Sequence, residues 1–482
     1  MIRVSLYLIC AGVILMSGVV SGCRTTGREP VSVLPVEIPQ DFSGPAGQTK
    51  TPPDPPIRNW WQTMDSPELS GLIRAGLAAN YDLQVRRARI DQARASLEKE
   101  RAGLSPELDY SLGGKRASTR VKTDQGAATD GSHSWDGSLT GTYTVDVWGE
   151  VRAGIQARTL ELEAARLDLN DAALDLSADI AEAWVDIISA RNRLEILDSQ
   201  IQVNQTHLDL QKLRFLNGRA SALDVSQQRE SLAQALSSRP LLEKEARQLM
   251  NELGFLTGET PGQPVSVATP ALPETIPMAD AGIPAALLEN RSDVRAARMR
   301  LLASRSEVEA AKADLMPSFT LSASALFSSG QLDLLFENWV ATLAAQLGGP
   351  LLDGGRRRAE VERTRAVVRE QLNLYAQTVS SAIREVEDSL VGIDRQKAYI
   401  EQLEQELEAV RLTLKDARIQ YLNGQSSYLN YLTAWTRIER LERQLVDERA
   451  TYVKEGINLC RAVGWQAAGT ENTLSAQNLG AN

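Results

Sequence analysis

Cys23 is the residue whose setting most directly calls for chemistry. It closes the run Val20-Ser21-Gly22-Cys23 behind an apolar stretch from Val4 to Val20, which follows a single charge at Arg3. Small residues ahead of a free thiol are what lipoprotein processing requires, because the peptidase must fit Ser21 and Gly22 and the sulfur must be open to take diacylglycerol. The expectation is a signal peptide over 1–22, removed on export. Mature Cys23 then carries a diacylglycerol and an N-acyl chain, and no other cofactor is expected. An aspartate after the cysteine commonly retains bacterial lipoproteins at the inner membrane. Arg24 stands there instead, which favours the outer membrane of a Gram-negative cell.

The remaining reactive types are sparse. Cys10 falls in the signal and Cys460 in a late helix, so an internal disulfide is not expected and Cys460 reads as a small core residue. His133 and His207 are the two histidines, placed on different elements and too distant to share a metal, so no metal site is expected. No Cys-x-x-Cys pair, phosphate-binding glycine loop or nucleophile elbow occurs. Carboxylates are abundant because long helices are charged, and catalysis is not expected. The formal net charge of -10 contains no basic block, which excludes nucleic acid as a partner.

The elements that must carry these residues repeat. Residues 23–66 include Pro52-Pro53-Asp54-Pro55-Pro56 and read as a lipidated tether leading into an equatorial segment. A first structural unit over 67–256 has a helix from Leu69 to about Leu104, a β-hairpin over 106–148, a long helix from Val151 to Leu216 and a helix from Ala222 to Leu256. A Pro-rich linker, 257–284, precedes a second unit over 285–464 in the same order: helix Ser292 to Leu315, hairpin 317–352, long helix Arg357 to Leu422, helix Tyr428 to Val463. A tail, 465–482, ends the chain. Phe215-Leu216-Asn217-Gly218 returns as Tyr421-Leu422-Asn423-Gly424, an offset of about 206 residues and too long for a solenoid repeat.

Each long helix carries a seven-residue stripe. Ile180, Ile187, Leu194, Ile201 and Leu208 match Val386, Ile393, Ile400, Leu407 and Leu414, a period that demands left-handed supercoiling. At 1.5 Å per residue each helix spans on the order of 100 Å, the reach needed to cross a wide aqueous compartment. Off the stripe, Glu161, Asp168, Asp171, Asp175, Asp179 and Glu182 read as a solvated face, whether outside or along a water-filled lumen.

The hairpins alternate. Phe319, Leu321, Ala323, Ala325 and Phe327 oppose Ser318, Thr320, Ser322 and Ser324, and Trp339, Leu343 and Leu347 oppose Thr342 and Gln346. One apolar face and one hydroxyl face suit a barrel with lipid outside and water inside. Arg116 to Ser134 and Ser328-Ser329-Gly330 read as surface loops. Four strands with open edges cannot stand in hydrocarbon, so copies must pool them: a dimer gives about eight strands and a trimer about twelve.

With Cys23, Trp60-Trp61, Asp65, Leu69, Asn80, Asp82-Leu83, Asp146-Val147-Trp148-Gly149, Gly354-Gly355 and the two Leu-Asn-Gly turns in order, the mature chain resembles the TolC-like outer membrane factors, in the lipidated branch that serves tripartite efflux pumps. The resemblance implies a homotrimer that is mainly α with membrane β. A long antiparallel coiled-coil α-barrel would join a four-stranded contribution to a 12-stranded transmembrane β-barrel, built on a two-fold internal repeat. It implies a periplasmic adaptor, an inner membrane transporter and outer membrane lipid as partners. It further implies a passive exit duct whose tip, at Asn217, Gly218, Asn423 and Gly424, receives the adaptor. The periplasmic gate would involve Leu429 and, one turn on, Thr433 where relatives have an acidic residue, with Asp224 and Tyr428 as further contributors. Hydroxyls in place of carboxylates imply a weaker cation preference. Two other readings are a periplasm-spanning structural lipoprotein and the duct of a type I secretion system. Pro240, opposite Val446, is expected to kink its helix.

Overall fold

The computed structural model describes residues 38, 39, 42, 59–124, 126–260, 262, 266–273, 277 and 284–464. The signal, Cys10, Cys23 and the tail lie outside them. Asn59 leads into a 3-10 turn at Trp60–Met64, and α1 (Pro67–Ala79) follows, N-capped by Ser66, whose hydroxyl accepts from the Leu69 amide at 3.2 Å. The single helix expected from Leu69 is in fact two. The Asn80 side chain accepts from the amides of Asp82 (2.9 Å) and Leu83 (3.3 Å), starting α2 (Tyr81–Ala102) afresh. An asparagine oxygen competing for backbone donors is a restart signal that apolar periodicity does not register.

After strands β1 (Glu107–Thr123) and β2 (Gly126–Val145) comes α3 (Glu150–Leu216, 67 residues), then α4 (Ala222–Leu256). Short α5 (Leu287–Asn290) precedes α6 (Ser292–Ala313), strands β3 (Ser318–Ser329) and β4 (Trp339–Gly348), α7 (Arg356–Leu422, 67 residues) and α8 (Tyr428–Val463). Helix α4 continues through Pro240 as one element. No helix among the described residues is long and apolar enough to cross a membrane.

Helix α3 is the axle of the core, packing against α1, α2, α4, α6 and α8. Its expected stripe is buried at Ile180, Ile187 and Leu208 but only half-buried at Leu194 and Ile201. The continuously buried line runs instead through Leu176, Ala183, Ala190, Leu197, Asn204 and Gln211, also seven apart. Alanines and amides hide that line from a reading based on large apolar side chains. On α7 the line at the same offset is buried at Ala382, Ser389, Leu403, Val410 and Ala417 and half-buried at Gln396, and Leu403, Leu407 and Val410 pack on Ile438 and Leu441 of α8.

The four strands form one antiparallel sheet in the order β1-β2-β3-β4. Register places Leu108, Gly141, Ala323 and Leu343 side by side, and Tyr110, Leu139, Ala325 and Ala341 two residues on. One face is therefore apolar. The other carries hydroxyls, including Ser111 and Ser138 at 3.2 Å and Ser328 donating to Asp136 at 2.8 Å. The expected loop from Arg116 to Ser134 is corrected: β1 and β2 stay paired to Thr123 opposite Gly126, past the ends of β3 and β4. Gly, Asp and Thr there suggest turns, but Ala117, Thr119, Val121 and Thr129 sustain the ladder, and the left-handed φ of +132° at Gly126 marks the actual reversal.

Candidate functional site

At the far end of the long helices, Asn217 and Asn423 end α3 and α7, and Gly218 and Gly424 each take φ +72°. The Arg219 amide reaches back to the Arg214 carbonyl (2.8 Å) and Gly218 to Phe215 (2.9 Å); Gln425 and Gly424 repeat the pattern on Gln420 and Tyr421. These are two matching Schellman closures in which glycine supplies the left-handed residue. Large apolar side chains flank both turns in the open: Leu213, Leu216 and Leu223 at one, Ile419, Leu422 and Leu429 at the other. In the sequence Leu216 and Leu422 stood out as part of the repeated Leu-Asn-Gly turns and Leu429 as a gate candidate, while Leu213, Leu223 and Ile419 carried no signal.

The four residues expected at a gate part company. Leu429 and Thr433 are exposed on one face of α8, the Thr433 hydroxyl donating to the Leu429 carbonyl at 2.8 Å. Asp224 is engaged locally, its carboxylate accepting from the Ser221 amide (2.9 Å) while its own amide donates to the Ser221 hydroxyl (3.1 Å), a capping box that starts α4. Tyr428 is buried within the protomer and donates to Gln228 at 2.5 Å, so its phenol is engaged in packing between the helices.

Tyr428 belongs to a polar seam that sequence reasoning missed. Gln228 donates to the Asn204 side chain (2.9 Å) and carbonyl (3.0 Å), and Asn204 donates to Glu439 at 2.5 Å. Gln200 donates to the Glu439 carbonyl at 3.1 Å, and Arg443 donates to Gln200. Burial pushes the Glu439 carboxyl above its ordinary range, with the Asn204 amide pulling it back. Beside the seam, His207 sits edge-on to Trp435 (5.1 Å) and Tyr431 (5.8 Å), and burial lowers its pKa. Tyr421 donates to Gln211 at 2.9 Å with the Arg214 guanidinium over its ring. The signal for this cluster was the amides at every seventh position, Asn204 and Gln211, where the α7 counterparts are Val410 and Ala417.

A second polar region lies where α3, α6, α7 and α8 meet around an open pocket of about 590 Å³ lined by Asp171, Asp175, Arg291, Asp293, Glu385 and Arg461 among others. Arg291 bridges Asp293 and Glu385, both at 2.7 Å, and donates to the Ala462 carbonyl. Burial, followed by the charges of Asp293 and Asp175, pushes Asp171 up to about 7. The face expected to be simply solvated is thus partly enclosed at Asp171. Nearby, Trp60 donates to Ser177 (2.9 Å), and Glu68 accepts from Trp184 (3.0 Å) and from Thr269 of the linker. Cys460 is fully buried beside Pro277, which raises its thiol pKa.

The sheet and helices recur in known proteins. A sequence profile of outer membrane efflux proteins matches residues 72–259 and 283–465. The chain belongs to the outer membrane efflux protein family. The pyoverdine export outer membrane protein OpmQ of Pseudomonas aeruginosa is 30% identical over 419 residues, covering 85% of this chain and 88% of that protein. The toluene efflux pump outer membrane protein TtgF of Pseudomonas putida is 28% identical over 427 residues, 87% of this chain and 88% of that one. In structure, the outer membrane protein VceC of Vibrio cholerae superposes with a TM-score of 0.77 at 26% identity, covering 85% of this chain and 99% of that one. The outer-membrane channel OprN shares the fold at a TM-score of 0.81 and 24% identity, over 90% and 98% of the two chains. This efflux protein is therefore an outer membrane exit channel, mainly helical with a small antiparallel sheet.

Proposed function

We propose that the protein is the outer membrane duct of a tripartite efflux system, working as a homotrimer and anchored by lipid on Cys23. The observation that carries this is the sheet: its edges β1 and β4 have no strand partner among the described residues, and its apolar face is open, with Leu343 87% exposed and Tyr110 81% exposed. Unpaired edges are intolerable in hydrocarbon, so three four-stranded sheets closing edge to edge satisfy them. From Trp135 to Val145 the apolar face runs along β2, which at about 3.3 Å per residue and a 35–45° tilt is roughly 25 Å of height, the size of an outer membrane apolar band.

The matched 67-residue helices support a two-fold internal repeat and an α-barrel on the order of 100 Å long below the sheet. Conduction is passive and the protein is not an enzyme. An inner membrane transporter supplies the energy, and a periplasmic adaptor docks on the two glycine-closed turns and their exposed leucines. The segments around Trp60, Ala268 and Thr269, tied to α3 through Ser177, Glu68 and Trp184, form the equatorial belt. Leu429 and Thr433 line the gate, and opening parts α7 and α8 from α3 and α4 across the polar seam. Heat-sensitive oligomer mobility in detergent, together with conductance in a planar bilayer, tests this reading. A monomer without conductance would instead support a structural scaffold.

A further inference from the structure

The hairpin that outruns the sheet has a charge distribution which the channel reading leaves unused. Beyond Trp135, β1 and β2 continue as a two-stranded ribbon from Lys115, opposite Ser134, to Thr123, opposite Gly126. At about 3.3 Å per residue this projects roughly 30 Å past the end of the other strands. Helices α2 and α3 attach at the opposite end of the hairpin, so the ribbon points away from the helical body.

Side chains alternate across a strand, so register assigns each ribbon residue to a face. Leu108, Tyr110 and Leu112 share their face with Arg116, Arg120 and Lys122, and Leu139 and Trp135 share theirs with His133, which pairs with Arg116. The apolar face of the sheet thus runs straight into a cationic strip: three permanent charges and a histidine, interrupted only by small or hydroxyl residues such as Ser118, Gly131 and Thr129. Acids on the ribbon lie elsewhere. Asp130, paired with Thr119, is on the opposite face with Lys115, and Asp124 is in the turn. Arg116, Arg120 and Lys122 are exposed.

We propose that this strip docks on phosphate-bearing glycolipid headgroups of the outer leaflet. The inference rests on the membrane placement proposed above: whatever surrounds the apolar band as hydrocarbon must present its headgroups just past Trp135, on the side where Arg116, His133, Arg120 and Lys122 face. Three cations with no acid on their face of the ribbon complement an anionic headgroup layer, and the strip is continuous with the lipid-facing surface, which favours a lipid over a soluble anion. Guanidinium groups also take phosphate oxygens two at a time.

The test uses purified full-length protein in detergent, titrated with bisphosphorylated lipid A and with its dephosphorylated form. Wild type is expected to bind the phosphorylated lipid with a Kd about a hundredfold lower, and R116Q/R120Q/K122Q to lose about the same factor, at roughly fivefold per charge. Lys115→Gln, on the other face, should bind as wild type, and R116K/R120K should retain most of the affinity. Equal Kd for the two lipids with wild type overturns the proposal even if the triple variant fails to fold. So does a triple variant that binds like wild type, or a Lys115→Gln loss of the same size. Wild-type conductance in a zwitterionic bilayer is read separately, so failure of the channel assignment is told apart from failure of the lipid contact.

Discussion

Thr433 and Asp171 show how single side chains set measurable properties. The Thr433 hydroxyl is turned back onto the Leu429 carbonyl, so at the proposed gate it offers passing ions little negative potential. Thr433→Asp should therefore shift single-channel reversal potentials toward stronger cation preference, and an unchanged potential would remove Thr433 from the gate. Asp171 is held protonated to about pH 7 in the fold but ionises near its ordinary value of 3.8 when unfolded. Between those values the folded chain binds more protons, so its contribution to stability falls as pH rises through this window and the penalty is fully present above it. Asp171→Asn should raise the melting temperature at pH 8, by on the order of 1–2 kcal/mol of stability after solvent screening, and leave it unchanged at pH 3. At this scale the sequence was partly legible. Positions alone singled out Leu429, Thr433 and the two tip glycines, whereas the capping box of Asp224 and the buried phenol of Tyr428 were not legible, because in one dimension each looks like any polar residue near a helix start.

Among the elements, the tip turns make the firmest prediction. A Cβ at Gly218 or Gly424 meets nothing within 4 Å, so the cost of Gly218→Ala or Gly424→Ala is that of left-handed backbone alone, about 1 kcal/mol each. Global melting should barely move while adaptor cross-linking at the tip weakens; full cross-linking with both alanines would place docking elsewhere. Helix bounds were readable to within a residue or two where capping residues and glycines agree, as for Ala222–Leu256 and Tyr428–Val463. Legibility failed where small or polar residues do the structural job of large apolar ones. The buried line through Ala183, Ala190, Asn204 and Gln211 escaped notice for that reason, as did the strand pairing beyond Lys115.

For the whole molecule, the proposed lipid attachment and barrel assembly should be separable. Cys23→Ser should abolish incorporation of labelled palmitate, while the strand edges still drive heat-sensitive oligomers. Loss of the oligomer along with the label would make the anchor part of assembly. Disulfides introduced between neighbouring helices at the tip should block export, and Cys460, buried away from reagents, would not interfere with such experiments. Broad architecture was legible because the same order of elements, helix, hairpin, long helix, helix, occurs twice along the chain.

The contrast between the two sides of α8 has a thermodynamic corollary. Toward α7 it presents hydrocarbon, with Ile438 and Leu441 against Leu403, Leu407 and Val410, whereas toward α3 it presents Glu439 and Arg443 to amides. Separating the second boundary wets carboxyl and amide groups along with the rings of Tyr428, Tyr431 and Trp435, so the heat-capacity increment of that motion is smaller than that of parting an all-aliphatic surface. Its van't Hoff line should then curve less than that of a transition that exposes a wholly greasy surface.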